Sequence, residues 1–321
     1  MLQRRLLLAA GGTLLAAPAI AQAPFPNKPI RMVVPLPPGG ATDIWARLMA
    51  EPMSQFLGQP VVIENRPGAG GMVGSEQVAR GAADGYSILF HIASFIQTPV
   101  VLKRFPYQPL EDFVPVGKMG TTPLPFCVRE DIPARTLAEF IAYARGKNLV
   151  YGTYSPGSSG HAFAQLLSNI EGLDMTPLHY RGEAPMLLDV LGGRVPCAFH
   201  SMTGSGDPIR SGRVRPLATL GRDGIPSQRQ VPTFVSLGYP GDFANSGSVG
   251  VFAPVRTPQE VHARLVEAFH HAMTRPAVLA RLAELDTIAA YLPPAAYRAE
   301  LAEYMQFWSG LVERIGLTVE G

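Results

Sequence analysis

The chain has 321 residues, 47% of them hydrophobic and only 16% charged, and a formal charge of +2. That length suits one large domain or two ordinary ones with a well-buried core. The near-neutral balance, without a basic run, argues against nucleic acid as a partner, and no stretch beyond the N-terminal segment has the ~20 uninterrupted apolar residues of a transmembrane helix.

Residues 1–23 read as a signal peptide. Arg4 and Arg5 form a charged start, Leu6 to Ala17 is apolar, and Ala21-Gln22-Ala23 fits a small-x-small cleavage site. The expected location is the periplasm, by general secretion, with the adjacent arginines also permitting twin-arginine export. Cleavage brings 27 basic residues to 25, against 25 acidic ones.

The mature chain opens with an extended lead-in and a short apolar strand, Ile30 to Val34. Pro35-Leu36-Pro37-Pro38-Gly39-Gly40-Ala41-Thr42-Asp43 follows, and then a helix from Thr42 to Leu57 with Ile44, Leu48 and Phe56 on one face. A strand, a stiff turn, two glycines and a helix start make either a tight connection or an anion cradle, because a helix N-terminus offers unpaired N–H groups and a partial positive charge. Pro52 should bend or split this helix, and Gly58 should stop it. Val61–Asn65 is a second strand, running into the Gly-rich turn Arg66–Gly71 and a helix over Val73–Ala82. Ser87–His91 is a third strand, after which Ser94 is free to face a cleft. Phe105–Val116 reads as irregular linker.

The same unit then recurs: strand Pro123–Arg129, helix Leu137–Arg145, strand Asn148–Tyr154, the loop Ser155–His161, helix Ala162–Ile170, strand Met175–Tyr180, loop Arg181–Pro185, helix Met186–Leu191, and strands Val195–His200 and Leu217–Leu220. A loop-rich region, Gly221 to Gly250, leads to strand Val251–Ala253. Helices over Pro254–Met273, Pro276–Leu285 and Pro294–Ile315 close the chain. Alternating strands and helices predict parallel sheets covered by helices. Two such sets, with Gly-rich loops at strand ends, predict two lobes that close on a ligand between them.

Few residues suggest chemistry. His161 and His200 stand where a cleft can lie, but packing or hydrogen bonding explains both. Ser155, Ser158 and Ser159 lack a nucleophile elbow. Gly68, Gly70 and Gly74 depart from the dinucleotide spacing by one residue. No Cys/His spacing resembles a metal site, and no cofactor is implied. Cys127 and Cys197 can form a disulfide in an exported protein or be two small buried hydrophobes.

Taken together, Pro29-Ile30-Arg31, Pro37 to Asp43 with Ala46-Arg47, Val62 to Gly71, Asp84-Gly85-Tyr86, Asp112 to Val116, Tyr180-Arg181-Gly182, Leu191-Gly192-Gly193, Val231-Pro232-Thr233 and Ala253-Pro254 resemble the extracytoplasmic solute-binding receptors of tripartite tricarboxylate transporters, the Bug or TctC-like family. The resemblance covers nearly all of the mature chain. It implies an α/β, two-lobe periplasmic-binding-protein fold, type II-like, with the ligand cleft between lobes. Residues 24–124 and 248–321 would form one domain, residues 125–247 the other, and the C-terminal helices would return to the first.

It also implies a small organic acid held by Leu36, Gly40, Ala41, Thr42 and Asp43 on one side and by Thr153, Ser155, Gly157, Ser158 and His161 on the other, partly through water. Two positions depart from the family. His200 stands where an aspartate often meets the far end of the ligand, and Ser248 where a tryptophan is common. These departures favour a di- or polycarboxylate, or a bulkier aromatic acid, over an amino acid. The expected protein is a monomeric receptor, not an enzyme, that delivers a carboxylate to membrane transporter subunits. The alternative is a ligand sensor that docks on a membrane histidine kinase. A secreted hydrolase built on His161 or His200 lacks an evident acid to orient the histidine.

Overall fold

A computed structural model describes residues 24–102 and 105–317; the expected signal peptide lies outside them. The chain builds two sheets. The first contains β1 (Ile30–Val34), β2 (Val61–Asn65), β3 (Ser87–Ile92), β4 (Phe113–Thr122), β10 (Gly247–Pro254) and β11 (Ile288–Leu292), in the order β11-β4-β10-β3-β1-β2. The second contains β5 (Pro125–Arg129), β6 (Asn148–Thr153), β7 (Asp174–His179), β8 (Cys197–Phe199) and β9 (Val214–Thr219), in the order β7-β6-β8-β5-β9. Each sheet has a parallel trio, β2-β1-β3 or β7-β6-β8, extended by antiparallel strands. The chain leaves the first sheet at Thr122, enters the second at Pro125, and returns through residues 220–246 to β10. This is the two-lobe α/β architecture expected.

Helices cover both sheets: α1 (Ala41–Leu57), α2 (Met72–Ala79), α3 (Ser94–Val101), α4 (Leu137–Ala144), α5 (Ser159–Glu171), α6 (Glu183–Leu191), α7 (Met202–Arg210), α8 (Gln259–Met273), α9 (Pro276–Glu284) and α10 (Pro294–Arg314). Contrary to expectation, Pro52 does not split α1, which runs unbroken for 17 residues. The carbonyl that Pro52 leaves unpaired belongs to half-buried Leu48, while Trp45, Met49 and Met53 on the same helix are fully buried against the first sheet and α8. Packing of this face outweighs one lost hydrogen bond. Gly58 ends the helix as expected, at φ 69° with its N–H on the Ser54 carbonyl.

Three elements escaped the sequence. β4 begins inside Phe105–Val116, which reads as linker because Pro106, Pro109 and Pro115 interrupt it, and Gly117 and Gly120 further disguise the strand. Gly120 is there because a Cβ would come within 2.1 Å of the Ile288 carbonyl oxygen across the pairing with β11. α7 hides behind Gly204, Gly206 and Pro208, and β11 is a short edge strand between two helices.

The cysteines do not pair. Both are free and buried. Cys127 pairs in register with Ala198, and Cys197 with Val128, on neighbouring strands. Alternation along a strand therefore sends the two thiols to opposite faces of the sheet, into separate cores.

The last helix serves both lobes. α10 lies along α3 and β4, and Tyr297 and Leu301 pack with Phe95 and Phe252 of the first lobe. Its final turns carry Trp308, Leu311 and Ile315 into the core of the second, where Trp308 meets Phe163 edge-on at 5.9 Å.

Candidate functional site

A cavity lies between the sheets, at the C-terminal ends of their parallel strands. Its wall is built from helix beginnings. Gly40, Ala41 and Thr42 open α1; Ala93 and Ser94 open α3; Ser159 opens α5; Gly182, Glu183 and Ala184 open α6; Ser201 caps α7. Five helix N-termini thus converge on one space, each worth roughly +0.5 of an elementary charge. The space for water centres is about 50 Å³. One water needs roughly 10–15 Å³, so the cavity fits a few waters or one small organic acid.

The first loop is held open by its own side chains. Gly39 takes φ 81°, which a β-carbon would disfavour. Its N–H donates to Asp43 Oδ2 at 3.1 Å, Arg47 Nε donates to the same oxygen at 3.0 Å, and Asn65 Nδ2 reaches Asp43 Oδ1 at 3.0 Å and the Leu36 carbonyl at 3.1 Å. Burial pushes the Asp43 carboxyl up, but these hydrogen bonds from Arg47, Gly39 and Asn65 outweigh it and hold the group below its ordinary range. Asp43 is therefore a brace, and it does not line the cavity. The first intrahelical bonds are those of Asp43 and Ile44 to the Gly40 carbonyl. The Ala41 and Thr42 N–H groups ahead of them have no helical partner. Ser94 Oγ is buried at the cavity wall without a hydrogen-bond partner, as its free position after the third strand suggested.

Of the twelve residues expected at the site, Leu36, Gly40, Ala41, Thr42 and Ser248 line the cavity; Asp43, Thr153, Ser155, Gly157, Ser158, His161 and His200 do not. The Ser155–His161 loop is tied into itself. Ser158 Oγ donates to the Ser155 carbonyl at 2.7 Å, the Gly157 N–H donates to His161 Nδ1 at 3.1 Å, and Thr153 Oγ1 pairs with His179 Nδ1 at 2.7 Å. Burial, with His179 beside it, holds the His161 imidazole down at about 3. This loop reaches the cavity through Ser159 and Tyr154. Burial pushes the Tyr154 phenol up to about 12, so it is a neutral donor.

His200 is fully buried, not at the cleft surface. Burial lowers it to about 4. The acid at the cavity is Glu183, the first residue of α6. It accepts from the Ser201 N–H at 2.6 Å, Ser201 Oγ at 2.7 Å and Ser205 Oγ at 3.0 Å. Burial raises its carboxyl, and the Ser201 and Ser205 hydrogen bonds oppose that rise. Serine, histidine and glutamate meet here, yet not as a hydrolytic triad. Ser205 sits between His200 Nδ1 (2.9 Å) and Glu183, and both Ser205 and His200 have no exposure. A nucleophile must stand at the end of such a chain and reach substrate.

An aromatic wall is present despite Ser248. Trp45 lines the cavity from α1, with its Nε1 on Thr287 Oγ1 at 2.9 Å, and Ser248 Oγ lies 3.3 Å from Tyr297 Oη. Glu183, Ser201, Ser94, Trp45, Tyr154 and Ser159 are among the lining residues that the site expectation lacked. Ser94 carried a signal in its place after the third strand, and Ser201 one as a cap before a helix hidden by glycines.

The lobes are in contact around the cavity. Gln97 of α3 crosses to α5, accepting from the Ser159 N–H at 3.1 Å and donating to Ser159 Oγ at 2.6 Å. Ser227 donates twice to Asp286, at 2.8 and 2.7 Å, and Thr203 Oγ1 to the Leu285 carbonyl at 3.1 Å.

A family model described as the tripartite tricarboxylate transporter family receptor matches residues 45–317. The protein BugT of Bordetella pertussis (strain Tohama I) is 34% identical over 309 residues, covering 94% of this chain and 93% of that one. The solved structure of the periplasmic binding protein BugD superposes with a TM-score of 0.87 at 31% identity, over 92% of this chain and all of that chain. A structure of R. palustris Rpa4515 with adipate superposes with a TM-score of 0.87 at 29% identity, over 92% of this chain and 99% of that one.

Proposed function

The chain belongs to the tripartite tricarboxylate transporter receptor family, a family of solute-binding receptors and not of enzymes, and from that premise we propose that it captures a small organic carboxylate in the cleft and delivers it to membrane transporter subunits. The observation that carries the reading is the convergence of five helix N-termini on one cavity between two lobes, an arrangement that favours an anion without any cationic side chain. The adipate bound by the similar R. palustris protein is a carboxylate of this class.

In this reading the ligand carboxylate meets the Ala41 and Thr42 N–H groups and the hydroxyls of Thr42 and Ser94, with Leu36, Gly40 and Ser248 closing around it. The moving bodies are residues 24–124 with 248–321, and residues 125–247; the end of α10, packed into the second core, is the joint between them. The Ser155–His161 loop sets the position of Ser159 and Tyr154.

The reading is tested by mass spectrometry of a ligand copurified with the protein, followed by thermal unfolding with that acid added. A ligand at about 100 times its Kd should add about 2.7 kcal/mol of stability. Capture of transporter subunits from membranes by the liganded protein tests delivery. Recovery of a sensor kinase instead would favour signalling, and stabilisation by no carboxylate would overturn the reading.

A further inference from the structure

The cavity is electrically uneven. Among the described residues that line it, Glu183 alone carries a formal charge, and no lysine, arginine or histidine is found. The positive potential comes from helix N-termini; two of the five already bond a protein group, and a third, that of α6, carries the acid itself. Glu183 is the first residue of α6, and its carboxylate takes the Ser201 N–H at the start of α7. The start of α5 is taken by Gln97, whose Oε1 accepts from the Ser159 N–H. The open ends are those of α1 and α3, both on the first lobe, where Ser94 Oγ waits unpartnered.

Glu183 is held in place. Ser201 Oγ accepts from the Gly204 N–H at 2.9 Å, so its single hydrogen goes to Glu183 Oε2. Position 204 leaves no room for a β-carbon, which would stand 2.6 Å from that oxygen. Each carboxylate oxygen therefore receives a donor, the Ser201 N–H on one and the Ser201 hydroxyl on the other, and these bonds favour the ionised form against the burial that raises the carboxyl. The side chain stays 12% exposed.

We propose that Glu183 sets the charge of the ligand: the cleft takes an acid with one carboxylate, bound at α1 and α3, whose far end presents a hydrogen-bond donor toward the second lobe, and it rejects a second carboxylate there. A dianion would place like charges together in a partly buried space with no side-chain cation to offset them. A hydroxyl or ammonium would instead find an acceptor already in position. The inference rests on the receptor reading and reverses the preference for di- and polycarboxylates that His200 suggested in the sequence.

The test is calorimetric titration of the mature protein with acids matched in length: succinate, 4-hydroxybutyrate and 4-aminobutyrate, within a wider panel of such matched sets. The wild type should bind the hydroxy and amino acids about tenfold or more tighter than the diacid, the effect of one like-charge pair in a partly buried site. Glu183→Gln should narrow that ratio by a similar factor, strengthening the diacid and weakening the amino acid. A wild type that prefers the diacid, or a ratio unmoved by Glu183→Gln, overturns the inference and leaves the receptor reading standing. Glu183→Ala serves if the first variant misfolds, and the wild-type ratio decides if both do. No binding by any acid of the panel overturns the receptor reading, and this inference with it.

Discussion

Ser201 uses one residue three ways: its hydroxyl caps α7 through the Gly204 N–H, the same hydroxyl donates to Glu183, and its backbone N–H reaches the same carboxylate. Ser201→Ala should lower stability by about 1–2 kcal/mol, through the lost cap and the weakened hold on a buried acid; urea unfolding measures this, and Ser201→Thr should recover most of it. Three buried histidines give the protein an acid-sensitive stability. Burial holds His91 and His161 at about 3 and His200 at about 4, whereas an unfolded histidine titrates near 6.5. Below pH 6.5 the unfolded chain binds more protons than the folded one, so stability falls with pH until the folded values are reached. The expected loss is about 1–2 kcal/mol per histidine at pH 5, with no contribution above pH 7. Urea midpoints that stay level from pH 7 to pH 5 would contradict it. At this scale the backbone-facing residues were readable: Gly40, Ala41, Thr42 and Ser94 follow from a strand ending at a helix start. Glu183 was not, because an acid in the loop Arg181–Pro185 looks the same in the sequence whether it faces water or a cavity. Its role comes from Ser201, 18 residues away, at the start of a helix that the sequence does not show.

Among the elements, a glycine makes one of the close approaches between lobes. Gly182 has φ 120°, and a β-carbon there would stand 2.7 Å from Pro37 Cδ in the opposite wall. Gly182→Ala should therefore hinder closure, weakening ligand affinity by about tenfold, while unfolding in the absence of ligand shifts by only a few degrees. Titration with the copurified acid, beside a thermal scan of the free variant, separates the two effects. Most helices and the parallel strands could be read because each lobe repeats strand, Gly-rich loop and helix. The elements that could not be read had their local signals overridden by tertiary contacts. Gly120 in β4 yields to a neighbouring carbonyl, and Gly204 in α7 yields to Glu183. A glycine required by a close neighbour and a glycine required by a turn are written with the same letter.

In the whole molecule, two tryptophans stand in different places. Trp45 lines the cavity, while Trp308 lies in the core shared by α10 and the second lobe. Ligand binding should change the intrinsic fluorescence, and Trp308→Phe should keep that change while Trp45→Phe abolishes it. A signal that follows Trp308 would place the ligand elsewhere. The two lobes were legible from the repeat, since two sets of alternating strands and helices cannot share one small sheet. How the chain stitches them was not. β10 enters between β3 and β4 after an excursion of more than a hundred residues, and long-range pairing leaves no local mark. α10 likewise reads as one amphipathic helix, and nothing in its spacing says that its two ends serve different cores.

The absence of a cation among the described cavity-lining residues has a consequence for how such a site changes over time. Peptide N–H groups neither titrate at neutral or alkaline pH nor disappear when a side chain mutates. The grip on the acid is thus inherited with the backbone, and substitutions at a few wall positions can retune which acid is taken without rebuilding the grip. A site built on lysine or arginine would lose its anchor in one step. Under the receptor reading, such a pocket can drift from ligand to ligand and keep its backbone grip throughout.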